Sequence, residues 1–202
     1  MDNLLYQNLA GLEGEALLFP EGEVSYRELA QLTRARIDWL QAQNPSAIAF
    51  LGEKTRESVA LILAALYCEI PFCPLDPTLP PARREKIFSL LGSALWVDNP
   101  SLAPSASADF APKTFAPNRV ALLLQTSGST GDPKVVQISS GGLLHFLRWA
   151  IPEIDLKATD TFAQLSSFSF DMFTLELFAP LLVGGAIAFP PAAASAFPAS
   201  LH

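Results

Sequence analysis

Thr126-Ser127-Gly128-Ser129-Thr130-Gly131-Asp132-Pro133-Lys134 sits between two apolar runs, Val120-Ala121-Leu122-Leu123-Leu124 before it and Val135-Val136-Gln137-Ile138 after it. Short apolar runs bounded by turn residues read as buried strands, so the stretch predicts a hairpin with a glycine-rich tip. Gly128 and Gly131 let the backbone approach an anion closely, and the hydroxyls of Thr126, Ser127, Ser129 and Thr130 can donate to phosphate oxygens. Lys134 brings a mobile positive charge to the same place. The pattern is not a Walker loop, which needs G-x-x-x-x-G-K-[ST] and a helix behind it. A flexible serine–glycine surface turn would share the composition, though not the Pro133-Lys134 pair directly behind the glycines.

On the N-terminal side, strands and helices alternate. Ala16–Phe19 reads as a strand, and Ser25 with Glu28 forms a capping box for a helix from Tyr26 to about Gln43. Ala47–Leu51 is a buried strand, and Thr55 caps a second helix carrying Val59, Ile62, Leu63 and Leu66. The prolines at 71 and 74 restrict the strand between them to a short or edge position, since proline removes a ladder donor. Pro81 opens a third helix reaching Leu91, and Ala94–Val97 is another strand. Such alternation predicts an α/β fold of layered, mostly parallel sheets with flanking helices.

Residues 99–118 scatter four prolines among serine and alanine, which predicts a mobile linker between a lobe at 1–98 and a second at 119–189. In the second lobe Ser139 or Ser140 caps a helix carrying Leu143, Leu144, Phe146, Leu147 and Trp149. A strand at Thr161–Leu165, a helix from Asp171 to Leu182 and a strand at Ala186–Phe189 follow, and residues 190–202 turn to proline, alanine and serine.

Composition narrows the function classes. The net charge of −7 and pI near 4.8 oppose a nucleic-acid or anionic-membrane surface. The N-terminus lacks a signal-peptide pattern, and no run approaches the ~18 apolar residues of a membrane span. Cys68 and Cys73 are too few and wrongly spaced for a zinc site or a C-x-x-C pair. Buried, reduced thiols of a cytoplasmic protein fit them best. His145 lies on a helix with no nucleophile–base arrangement nearby, and Glu13, Glu21 and Glu23 read as solvated.

The hairpin stretch resembles the phosphate-loop signature T-S-G-S-T-G-x-P-K of the adenylate-forming (AMP-binding) superfamily, which includes acyl-CoA synthetases, luciferases and amino-acid adenylation domains. Three further segments resemble that family's motifs in the family's order. They are Glu23-Val24-Ser25-Tyr26-Arg27-Glu28-Leu29, Glu69 to Pro80 continued by Ala82-Arg83-Arg84, and Phe168-Ser169-Phe170-Asp171-Met172-Phe173 with Leu175-Glu176-Leu177-Phe178. The resemblance implies carboxylate activation by ATP with Mg2+, release of pyrophosphate, and transfer of the acyl group to the phosphopantetheine thiol of a carrier protein. It implies that Thr126, Ser127, Gly128, Ser129, Thr130, Gly131 and Lys134 hold the β,γ-phosphates, with Lys134 as the catalytic residue.

In amino-acid adenylation domains, aspartate at the place of Asp171 binds the substrate α-ammonium, with Met172 and Leu175 then lining the side-chain pocket. A plain helix N-cap is the alternative for Asp171, and helix packing the safer reading of Met172 and Leu175. Val135 stands where most members have glycine, and Gln137-Ile138-Ser139 with Phe146 and Trp149 resembles D-alanine–carrier-protein ligases and free-standing adenylation enzymes. The family's downstream groups for adenine, magnesium, ribose and the α-phosphate are not found. The chain therefore reads as the N-terminal part of an amino-acid adenylation enzyme, inactive when isolated and without a magnesium ligand of its own. A non-catalytic nucleotide- or partner-binding protein and part of an acyl- or aryl-CoA ligase are the alternatives.

Overall fold

The computed structural model describes residues 3–98, 103–111, 113–127 and 132–191. Its elements in chain order are α1 (Asn3–Gly11), β1 (Glu15–Phe19), β2 (Gly22–Ser25), α2 (Tyr26–Gln43), β3 (Ile48–Leu51), α3 (Arg56–Cys68), β4 (Phe72–Leu75) and α4 (Pro81–Ser89). There follow β5 (Leu95–Val97), β6 (Val120–Ser127), β7 (Pro133–Ser139), α5 (Ser140–Glu153), β8 (Thr161–Ala163), α6 (Phe173–Val183) and β9 (Ala186–Ala188). Helix α1 and strand β2 carry no strong sequence pattern; β2 exists because the chain doubles back after Phe19 to pair antiparallel with β1.

Ser25 and Thr55 cap α2 and α3 as their positions predict, accepting from the N–H groups of Glu28 and Ser58 at 3.2 Å each. Helix α2 ends at Asn44 in the left-handed conformation, which asparagine tolerates. Helices α3 and α6 are buried almost all round, as their continuous apolar composition requires.

The strands form two sheets, ordered β2-β1-β9-β8 and β5-β3-β4-β6-β7. Pairing is parallel except for the β1–β2 and β6–β7 hairpins. Each sheet takes strands from both sides of residues 99–118, so the boundary expected there does not separate the sheets. The described part of that stretch is anchored: Phe110 and Phe115 pack on Tyr6 and Tyr67, and the Tyr67 hydroxyl donates to the Ala111 carbonyl at 2.9 Å.

Of the two positions open to it, short or edge, strand β4 takes the first: it has four residues and lies inside the five-stranded sheet. Ile48 N–H donates to the Pro71 carbonyl and Gly52 N–H to the Leu75 carbonyl, so the odd-numbered residues of β4 face β3. Pro74 therefore faces β6, beyond the single registered pair Phe72↔Leu122, where no ladder donor is needed.

Alternation along these strands divides the core. Ile48, Phe50, Phe72, Leu122 and Leu124 enter a large cluster that joins both sheets to α1, α2, α3, α5 and α6. Ala49, Cys73, Leu75 and Leu123 face the other way, into a small cluster closed by Ile87 of α4. Burial pushes the Cys73 thiol up to about 12 and the Cys68 thiol to about 11, leaving both as inert packing groups. Among the described residues no helix is long and apolar enough to cross a membrane.

Candidate functional site

The site gathers where parallel strands end. Strand β6 continues past β4, so the far half of the β6–β7 hairpin leaves the sheet as a two-stranded arm. The hairpin predicted from the two apolar runs forms with Thr126 opposite Lys134 and Ser127 opposite Pro133. Cross-strand partners project to one face, so the Thr126 hydroxyl and the Lys134 ammonium leave the arm on the same side. Both are exposed, and Lys134 makes no ion pair among the described residues. Gly128, Ser129, Thr130 and Gly131 lie outside the described residues, as does the Ser127 side chain. At the loop end of the arm Asp132 meets Lys86 of α4 at 2.5 Å, and that lysine holds the Asp132 carboxyl below its usual range.

Two clefts adjoin the β6–β7 hairpin. One, of about 180 Å3, is lined by Gln125, Thr126 and Pro133 from the hairpin, Asp76, Leu79 and Arg83 from the β4–α4 connection, and Ser169 and Phe170. The other, of about 250 Å3, lies between α5 and the start of α6 and is lined by Ile138, Gly142, Leu143, Phe146, Asp171, Met172 and Thr174. Phe170 and Asp171 are successive residues, so the two clefts flank a single turn. Ligands of open α/β sheets bind at this end of the strands.

Asp171 is not the N-cap of α6. That position belongs to Met172, and the Asp171 backbone carbonyl, not its carboxylate, accepts from the Thr174 N–H at 3.0 Å and the Thr174 hydroxyl at 2.7 Å. The carboxylate is thereby left out of the cap, and among the described residues Asp171 is the only charged residue lining an otherwise largely apolar cleft. Met172, 49% exposed, shares that cleft. Leu175 does not: it packs against the large cluster, because the helix turns it inward.

The turn itself is held by a buried carboxylate whose role its motif position alone did not reveal. Glu176 accepts from Gln164 Nε2 at 2.8 Å, Ser166 N–H at 2.9 Å and the Ser166 hydroxyl at 3.0 Å. Lys54 Nζ donates to the Gln164 and Leu165 carbonyls at 3.0 and 2.7 Å. Burial lowers the Lys54 pKa, and the Glu176 charge opposes that shift. A glutamate inside Leu175-Glu176-Leu177-Phe178 was the signal, since a charge on an all-round apolar helix needs partners. Gly52 completes the seat: a Cβ there would meet the Cβ atoms of Phe168 and Pro74 at 3.2 Å. Among the described residues no group of three or more His, Cys, Asp or Glu could hold a metal ion.

The sequence matches the family described as AMP-binding enzyme over residues 94–202. It is 30% identical over 210 residues to tyrocidine synthase 3 of Brevibacillus parabrevis, covering 92% of this chain and 3% of that protein. It is 48% identical over 82 residues to L-proline–[L-prolyl-carrier protein] ligase of Streptomyces coelicolor, covering 41% of this chain and 15% of that one. The chain thus spans a small part of these relatives' length. Its fold matches the Klebsiella oxytoca NpsA N-terminal subdomain in complex with 3-hydroxyanthranilyl-AMSN, with a TM-score of 0.79 and 22% identity over 93% of this chain and 52% of that one.

Proposed function

Because the chain belongs to the AMP-binding enzyme family, we propose that it supplies the pyrophosphate and amino-acid sides of an AMP-forming ligase that activates an amino acid for a carrier-protein thiol. The observation that carries this is the Asp171 carboxylate in an apolar cleft, one residue from a second cleft lined by the phosphate-loop strand. A lone carboxylate over an apolar floor suits an α-ammonium with its side chain beneath.

ATP, as co-substrate, supplies an electrophilic α-phosphorus and pyrophosphate as leaving group. A carboxylate oxygen of the amino acid bonds to that phosphorus, the bond to the β-phosphate oxygen breaks, and its electron pair leaves with pyrophosphate. Thr126 and Lys134, on one face of the hairpin arm, donate to the departing phosphates and offset their charge. Asp171 orients the amino acid so that its carboxylate faces the turn between the clefts. The phosphopantetheine thiol of a carrier protein then displaces AMP from the aminoacyl-adenylate. Free cysteines with raised thiol pKa fit a cytoplasmic setting, where ATP is available.

The test is calorimetric titration of the full-length protein with candidate amino acids and their des-amino analogues, paired with amino-acid-dependent exchange of labelled pyrophosphate into ATP. Preference for the amino compound and exchange are the expected results. Equal affinity for both would assign the cleft to a carboxylic acid without an amino group, and binding without exchange would make the protein a non-catalytic binder.

A further inference from the structure

Helix α4 stands alone on its face of the five-stranded sheet, and its first turns lie beside the hairpin arm. Lys86 and Arg83 are one turn apart on it. Lys86 is taken up by Asp132. Arg83 is half-buried, lines the 180 Å3 cleft, and makes no ion pair or side-chain hydrogen bond among the described residues. A guanidinium that gives up part of its hydration without a partner is costly, and an anion in the cleft would supply what is missing. Asp76 shares the cleft, but its carboxylate already accepts from the Thr78 N–H at 2.8 Å and the Thr78 hydroxyl at 2.7 Å.

We propose that Arg83 is a pyrophosphate-binding residue that grips the leaving group from the side opposite Thr126 and Lys134. The proposal rests on the ligase function argued above. Leu122, Leu124 and Thr126 share one face of β6, whereas α4 covers the other. Because β4 ends at Leu75 while β6 runs on to Ser127, a notch opens beyond β4 through which Arg83 reaches the Thr126 side. The amino-acid cleft lies across the Phe170-Asp171 turn, so the α-phosphate belongs at that turn and Arg83 meets the phosphates beyond it. A planar guanidinium can hold two oxygens of one phosphate at once, which Lys86, already paired, cannot do.

The experiment is titration of the full-length protein with magnesium pyrophosphate, with amino-acid binding measured on the same samples. Arg83→Gln is expected to weaken pyrophosphate binding by about tenfold or more while leaving amino-acid binding unchanged. Arg83→Lys should fall between, because it keeps charge but not the fork. Arg84→Gln, whose side chain lines a separate groove with Phe88 and Trp96, should match the parent. Parent-like pyrophosphate binding by Arg83→Gln, alongside weakening by Lys134→Ala, would overturn the role of Arg83 and leave the phosphate-loop assignment standing. Equal loss of pyrophosphate and amino-acid binding in Arg83→Gln would make Arg83 structural and overturn the proposal. Failure of the parent to bind pyrophosphate at all would overturn both assignments together.

Discussion

The two faces of the five-stranded sheet are built differently. One presents Ile48, Phe50, Phe72, Leu122 and Leu124 to a cluster that spans both sheets and five helices. The other presents Ala49, Cys73, Leu75 and Leu123 to α4 alone, closed by Ile87 with half-buried Phe88 and Trp96 at its margin. Large side chains under several helices anchor the fold, and the thin face lets one short helix lie close to the sheet and reach the loop end of the hairpin. The same strands thus carry a deep, many-layered core on one side and a single-helix layer on the other.

Phe50→Ala tests that division most severely. Phe50 is fully buried in the large cluster, and its truncation should cost about 3–5 kcal/mol in urea unfolding. Ile87→Ala, in the small cluster, should cost about 2 kcal/mol, because its partly exposed neighbours can settle into the space. Equal losses would show that both faces bear the fold alike.

Lys134→Ala should act on chemistry and leave stability alone. In the full-length enzyme we expect pyrophosphate release to slow by roughly 10- to 1000-fold with an unchanged unfolding midpoint. A rate within twofold of the parent would remove Lys134 from the mechanism. Asp171→Asn should be narrower still, raising the KM for the amino acid by about 10- to 150-fold, as loss of a charge-assisted contact does, with little change for ATP. Equal changes in both constants would place Asp171 in the architecture of the turn and not at the ammonium.

Much of this was legible in the sequence, for local reasons. Ser25 and Thr55 announce caps, and Val120–Leu124 and Val135–Ile138 announce a hairpin, whose register sets Thr126 opposite Lys134. What was hidden depends on long-range partners. Nothing local in Gly22–Ser25 marks a strand until β1 is there to pair with it. Pro74 left a short or an edge strand open, and its missing donor is tolerated inside the sheet because β4 and β6 share a single registered pair, at Phe72. Arg83 was visible as part of a motif, but only the packing of α4 beside the arm brings it to a cleft with Thr126. Asp171 could be read as the ammonium partner or as a cap, and the extra turn through Met172 takes the cap position from it.

The smallest effect belongs to the far margin of the large cluster, where residues 113–116 are fastened to the end of α3. Glu69, at the α3 C-cap with φ of 56°, accepts from the Ala116 N–H at 2.9 Å and pairs with Lys113 at 3.3 Å. Burial pushes its carboxyl up, but the Ala116 hydrogen bond and the Lys113 and Arg119 charges outweigh it and hold the group below its ordinary value. A carboxyl depressed in the folded state stabilises fully above its unfolded pKa of about 4.3 and loses that contribution as pH falls through the folded value. Glu69→Gln should therefore lower stability by less than about 1 kcal/mol at neutral pH, and parent and variant should converge in acid. Urea midpoints of the two proteins from pH 7 downward measure this. A gap that stays constant into acid would trace the loss to packing of the 113–116 segment, and the large cluster would then extend its mechanical hold to its very edge.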